Sequence, residues 1–135
     1  MSKLKVTVIQ PNRIKIDGEY DHIIVPGIEG DIGISYDHTP LITQIRSGIM
    51  LLFLDNKKSK FVIHDGFVSI ENNEVKIICD TIEAEDEIDM ERAQNSKKRA
   101  EKRLRSNEKD IDFRRAEASL KRALARINSK KKSEI

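Results

Sequence analysis

The chain has 135 residues, and its 25 Lys+Arg against 23 Asp+Glu leave a formal charge of only +2. That near-balance argues against a wholesale electrostatic design for nucleic acid or an anionic membrane. Aromatics at 4% exclude a core built on rings, and the single cysteine, Cys79, excludes an intrachain disulfide or a cysteine-rich metal site.

At the N-terminus Lys3 and Lys5 accompany only a short apolar stretch, Val6 to Ile9, too short for a signal peptide. The longest apolar run, Ile49 to Leu54, has six residues, whereas a membrane span needs about 20. The expectation is a soluble intracellular protein. Apolar residues then come in short clusters. Leu4 to Val8 and Ile14 to Ile16 alternate. Phe61-Val62-Ile63, Phe67 to Ile70 and Val75 to Ile78 are rich in β-branched side chains. Turns are expected at Asp17-Gly18, Asp55-Asn56, Asp65-Gly66 and Asn72-Asn73, a spacing that reads as a β-sandwich or barrel. Cys79 falls in a strand-like apolar run and belongs in the core.

The second part of the chain differs. All three prolines and all six glycines lie before residue 67, so residues 67–135 are free of the residues that break helices. Residues 1–85 carry 9 Lys+Arg and 13 Asp+Glu, a net −4; residues 86–135 carry 16 and 10, a net +6. At 100° per residue, Asp89, Ala93, Ser96, Ala100 and Leu104 fall on one stripe. Asp86 or Asp89 is the expected cap. Ser106-Asn107 reads as a break, and Asp110 or Asp112 as the cap of a second helix. That helix has its own stripe, Phe113, Ala116, Leu120, Ala123, Leu124 and Ile127, with Arg115, Arg122 and Arg126 opposite it. The run Lys130-Lys131-Lys132 lacks an apolar stripe and is expected to fray.

The fold class expected is therefore α+β in two parts. Residues 1–85 form an N-terminal antiparallel β-sandwich, and residues 86–135 a C-terminal antiparallel two-helix hairpin. Alanine offers little area at about 25 cal/mol per Å², so the hairpin should be only marginally stable alone.

The segment from Val25 to Ile34 reads V-P-G-I-E-G-D-I-G-I and continues into His38-Thr39-Pro40-Leu41-Ile42-Thr43 and Gly48. Gly66-Phe67-Val68 and Asp86 to Ala93 come after it in order. This pattern resembles the epsilon subunit of bacterial F-type ATP synthases, from about Leu4 to Ile127. Ser35-Tyr36 stands where the family often has Leu-Pro, and Asp65 where a glycine is usual. Asp65 still suits a left-handed turn. The resemblance implies a sandwich with a C-terminal helical hairpin on the central stalk, bound to the gamma subunit and the ring of c subunits. It implies no catalysis, and a peripheral place on the cytoplasmic side of the bacterial plasma membrane. It also implies that the hairpin extends towards the alpha and beta subunits to inhibit ATP hydrolysis, and that some members bind ATP when it is folded down.

The ATP-binding members carry an I-D-x-x-R-A motif, here Ile88-Asp89-Met90-Glu91-Arg92-Ala93. Glu83, Arg99, Arg122 and Arg126 occupy matching places. By this resemblance Glu83 and Asp89 face the adenine, and Arg92, Arg99, Arg122 and Arg126 meet the phosphates. His38 is expected to fix a loop or touch gamma. No metal is expected, since His22, His38 and His64 lack paired ligand spacing. Gly27, Gly30 and Gly33 read as β-turn glycines, not a phosphate loop, because no helix pattern comes after them. Two alternatives stay open: the same stalk subunit without ATP binding, and, more remotely, a basic nucleic-acid-binding module. Only Phe113 offers stacking in the basic half, which weighs against the latter.

Overall fold

The computed structural model describes residues 2–106 and 112–132. The chain packs as two units, Met1–Ala84 and Glu85–Ile135. The first unit holds eight strands: β1 (Leu4–Gln10), β2 (Arg13–Tyr20), β3 (His22–Gly27), β4 (Gly30–Ser35), β5 (Leu41–Ile45), β6 (Gly48–Leu54), β7 (Lys57–Glu71) and β8 (Glu74–Ala84).

Their order is β2-β1-β8-β7-β5-β3-β4, with β6 pairing β3 and β7. Every pairing is antiparallel except that of β1 with β8, which is parallel. Alternation sets the inside. Leu4, Val6 and Val8 of β1 are completely buried, as are Ile23 and Val25 of β3, Ile34 of β4, Met50 of β6 and Val75 and Ile77 of β8. The intervening residues of β1 face outward.

β7 carries the architecture. Its first half pairs β6, with Gly48 opposite Ile63, and its second half pairs β5, with Ile45 opposite Gly66. Between the halves Asp65 takes φ 45°. The pairing with β8 keeps its register across that point, His64 opposite Thr81 and Gly66 opposite Cys79. The strand therefore kinks without slipping, which lets one sheet turn the corner of a sandwich. A Cβ on Gly66 would lie 2.1 Å from the Ile78 carbonyl oxygen, so the strand approach itself requires glycine.

Two expected turns thus have a different role. Asp65-Gly66 is the kink inside β7, and Asp17-Gly18 lies within β2, where Gly18 pairs Val6. Of the glycines read as turn residues, Gly27 and Gly30 flank the β3–β4 turn, and Gly30 has φ 139°. Gly33 sits inside β4 opposite Ile24. Asp55-Asn56 and Asn72-Asn73 are turns, with φ values of 51° and 65°, then 51° and 61°. Both pairs have the double positive φ of tight hairpins.

Cys79 is 4% exposed and its thiol faces the Ile9 carbonyl at 3.8 Å. Burial, helped by Asp80, pushes its pKa up to about 11. Thiolate is the reactive form, so the native protein should label with iodoacetamide at pH 7.5 at least tenfold more slowly than the denatured chain, by roughly the fraction of thiolate removed.

The second unit begins with a short 3-10 turn, Glu85–Glu87, and continues with α1 (Met90–Arg105) and α2 (Phe113–Lys132). The helices pack on each other. Ala93 and Ala100 of α1 are buried, and so are Ala116, Ala123, Ala125 and Ile127 of α2. Phe113, placed on the apolar stripe by the sequence, is 48% exposed. It stands at the first residue of α2, one turn ahead of the first buried residue of the helix, Ala116. α2 continues to Lys132 through the lysine run expected to fray. Lysine is a good helix former, and its charge suits a helix C-terminus. Asn107 and Asp110 lie outside the described residues.

Candidate functional site

α1 starts because Asp89 caps it. The Asp89 Oδ1 accepts the Arg92 backbone N–H at 3.0 Å, and Ala93 N–H donates to the Asp89 carbonyl at 3.0 Å. Ile88 sits just before the cap and Ala93 at the fourth helical position, the spacing of a hydrophobic staple. Both are buried, at 8% and 2% exposure. Helix initiation therefore accounts for three of the four defining residues of Ile88-Asp89-x-x-Arg92-Ala93. Replacing Asp89 by alanine should cost about 1 kcal/mol through the lost cap, measurable as lower helical content on thermal melting followed at 222 nm.

Arg92 is the residue that helix physics leaves unexplained. A cation in the first turn opposes the helix dipole, and the Arg92 side chain is exposed. It lines an open depression of about 610 Å³ on α1 together with Asp89, Glu91, Asn95, Lys98 and Arg99. Successive spacings of three and four residues put Arg92, Asn95 and Arg99 on one side of the helix. Arg99 is steadied by a 3.2 Å bond from Nη2 to Ser96 Oγ. Three cations thus converge where only two carboxylates are present, and one of those two is already capping. Such a depression suits a flexible polyanion.

Asn95 and Lys98 were missed by the sequence reading. The signal was available in the spacing of Glu91, Asn95 and Lys98, each one turn beyond the last.

The other expected residues are not among those lining this depression. Arg122 and Arg126, on α2, are half-buried, while Arg115 is exposed. Arg122 Nη2 donates to Ser119 Oγ at 3.2 Å. Asp112 caps α2, accepting the Arg115 N–H at 3.1 Å. Glu83 belongs to β8 in the sandwich, where its Oε1 lies 3.2 Å from His64 Nε2. His38 fixes its own loop: Nδ1 donates to the Thr39 carbonyl at 2.6 Å, and the His38 backbone N–H to Ser35 O at 3.2 Å. Among the described residues no group of three or more His, Cys, Asp or Glu side chains could hold a metal ion. No helix among them is long and apolar enough to cross a membrane.

An eight-strand sandwich joined to two alanine-packed helices defines a known class of two-part chain. Residues 3–85 match the family described as ATP synthase, Delta/Epsilon chain, beta-sandwich domain, and residues 86–131 match its long alpha-helix domain. The chain belongs to the ATP synthase delta/epsilon chain family.

Among its relatives is the ATP synthase epsilon chain of Carboxydothermus hydrogenoformans, 38% identical over 102 residues that cover 76% of each chain. The ATP synthase epsilon chain of Clostridium kluyveri is 43% identical over 102 residues, covering 75% of this chain and 77% of that one. A chain in the mitochondrial ATP synthase of Euglena gracilis, solved as OSCP/F1/c-ring, superposes with a TM-score of 0.86 at 19% identity, over 96% of this chain and 82% of that one. A chain of the Tetrahymena thermophila mitochondrial ATP synthase, solved as central stalk and c-ring, gives 0.60 at 16% identity, over 98% and 97%. At those identities the likeness to the two solved structures is one of fold.

Proposed function

We propose that this chain is the epsilon subunit in the central stalk of a rotary F-type ATP synthase. It is non-catalytic, contacts the gamma subunit and c ring, and lies peripherally on the cytoplasmic side of a bacterial plasma membrane. Its hairpin binds ATP in a folded-down form and, when extended towards alpha and beta, inhibits ATP hydrolysis.

The observation that carries the ATP reading is the α1 depression, where Lys98 and Arg99 gather with Arg92, which stands in the first turn against the helix dipole. Their charge fits a triphosphate. Arg122 and Arg126 on α2 add phosphate contacts, and Asp89 takes the adenine end. Alanine-lined helix packing supports a hairpin that a ligand can switch. If ATP binds only the folded-down form, ten times its dissociation constant shifts the balance by about 1.4 kcal/mol, or about tenfold.

The docking reading draws support from the sandwich's outer face. Register places Ile14 beside Ile9, Ile9 beside Ile78, and Ile78 beside Phe67. Ile14, Phe67 and Ile78 are 59%, 58% and 61% exposed. A row of apolar side chains across four strands, exposed on three of them and half-buried at Ile9, suits a protein partner.

Truncation after Glu85 tests the division of labour. The remaining sandwich should fold and still bind gamma, while ATP binding and inhibition vanish. A truncated sandwich that still binds ATP would place the ligand elsewhere. Full-length chain that gives no heat with millimolar ATP would leave the stalk subunit without a nucleotide site.

A further inference from the structure

Ion pairs form on these helices where a glutamate stands four residues before a cation. Glu101 Oε2 lies 3.9 Å from Arg105 Nη2 on α1, and Glu117 Oε1 lies 3.4 Å from Lys121 Nζ on α2. Acid before base along the chain is the favourable order. Asn95 stands four residues before Arg99 in the same way, but it is neutral. It also comes three residues after Arg92, three before Lys98 and four after Glu91.

Residues three and four apart are neighbours on a helix surface. Asn95 therefore adjoins all three cations of the α1 depression and its one carboxylate not engaged in capping. No other position of α1 adjoins all three of these cations. Asn95 is exposed. Among the described residues the side chains of Glu91, Arg92, Asn95 and Lys98 make no hydrogen bond or ion pair. A glutamate at 95 would face Arg92, Lys98 and Arg99 at once and set three carboxylates against three cations. Asparagine leaves the positive surplus in place, and its carboxamide adds two donors of its own.

We infer that Asn95 sets the affinity of the α1 depression for a polyphosphate. It holds the place of a helix ion-pair partner without neutralising Arg92, Lys98 and Arg99, and its amide donates to phosphate oxygens. The inference takes its ligand class from the nucleotide reading above, but it concerns α1 alone. It also explains a local cost. Cations gathered within two turns destabilise a helix, and a helix built for stability alone would carry glutamate at this place.

Calorimetric titration of the full chain with ATP and with inorganic tripolyphosphate tests this, using wild type, Asn95→Gln, Asn95→Glu and Gln94→Glu. Glutamine and glutamate have one shape and differ in charge. Gln94 is exposed and adjoins only Lys98 among the three cations, so it receives the same charge one residue away. Asn95→Gln should bind both ligands within about threefold of wild type. Asn95→Glu should weaken both about tenfold or more, because the carboxylate pairs with the cations and repels the phosphates. Gln94→Glu should lose less than about threefold. Melting followed at 222 nm should be unchanged or raised in Asn95→Glu, so binding and stability part company. A purely structural asparagine would lose both together. Asn95→Glu that binds like wild type, or Gln94→Glu that loses as much, overturns the inference. Wild type that takes tripolyphosphate but not ATP removes the nucleotide reading and leaves Asn95 to be judged on tripolyphosphate by the same variants. Wild type that takes neither overturns both.

Discussion

Replacing Arg92 and Arg99 together by alanine should abolish measurable ATP binding while leaving the fold intact. A hydrogen bond to a charged group is worth about 1.5–3 kcal/mol, so each arginine is worth about 10- to 100-fold in affinity. The double change should reach about 100-fold or more, provided the two act on separate phosphates. Both side chains are exposed and neither is in the packed interface of the helices. Helicity should be unchanged or slightly raised, because removing Arg92 relieves a cation at the positive end of α1. Isothermal titration together with circular dichroism separates the two effects. Lysine at either place should recover only part of the affinity, since a point charge lacks the planar fork.

Gly66→Ala should be the most damaging single change in the sandwich. Its Cβ would meet Ile78 O at 2.1 Å, Cys79 Cα at 2.8 Å and the Ile78 carbonyl carbon at 3.0 Å. All three are backbone atoms of the paired strand, so no rotamer change relieves them. Overpacking typically costs about 1–3 kcal/mol, and a backbone clash belongs at or above the top of that range. For a unit of this size 1 kcal/mol moves the melting temperature by about 4–8 °C, so a fall of about 12 °C or more is expected in the isolated sandwich. Gly18→Ala is the control. Its Cβ would meet nothing nearer than the Tyr20 ring at 3.4 Å, and the melting temperature should move by less than about 4 °C for a change of a few tenths of a kcal/mol.

The division into strands and helices was legible because local chemistry and global packing agree over most of the chain. Glycine and proline crowd the first part, and alanine recurs at helical spacing in the second. Asp89 and Asp112 could be read as caps because an N-cap is set by the residues adjoining it. The glycine pairs were ambiguous for a physical reason. Asp17-Gly18 and Asp65-Gly66 satisfy the chemistry of a turn, yet glycine also serves where two strands come close, and only the pairing partner tells these apart. Ile78, whose carbonyl crowds Gly66, decides the second case, and nothing near Gly66 in the sequence points to it.

The site was legible in the same uneven way. The run from Ile88 to Ala93 could be recognised because its residues are contiguous. The convergence of Asn95 and Lys98 with Arg92 and Arg99 is set by helix geometry and was within reach. The bond between His64 and Glu83 was not. It joins residues whose proximity depends on the register of β7 against β8, and Ser47 reaches His64 only because β5 and β6 share one register along β7. Arg122 and Arg126 were placed opposite the apolar stripe, where arginine usually stays in water, yet both are half-buried.

The central claim is that nucleotide holds a weakly packed helical unit in place without altering the sandwich. Amide hydrogen exchange on the isolated full-length protein, with and without millimolar ATP, measures this directly. Slower exchange across Met90–Arg105 and Phe113–Lys132, with β-strand rates unchanged, is the predicted result. Identical rates in both helices at saturating ATP, or protection confined to the strands, would contradict it.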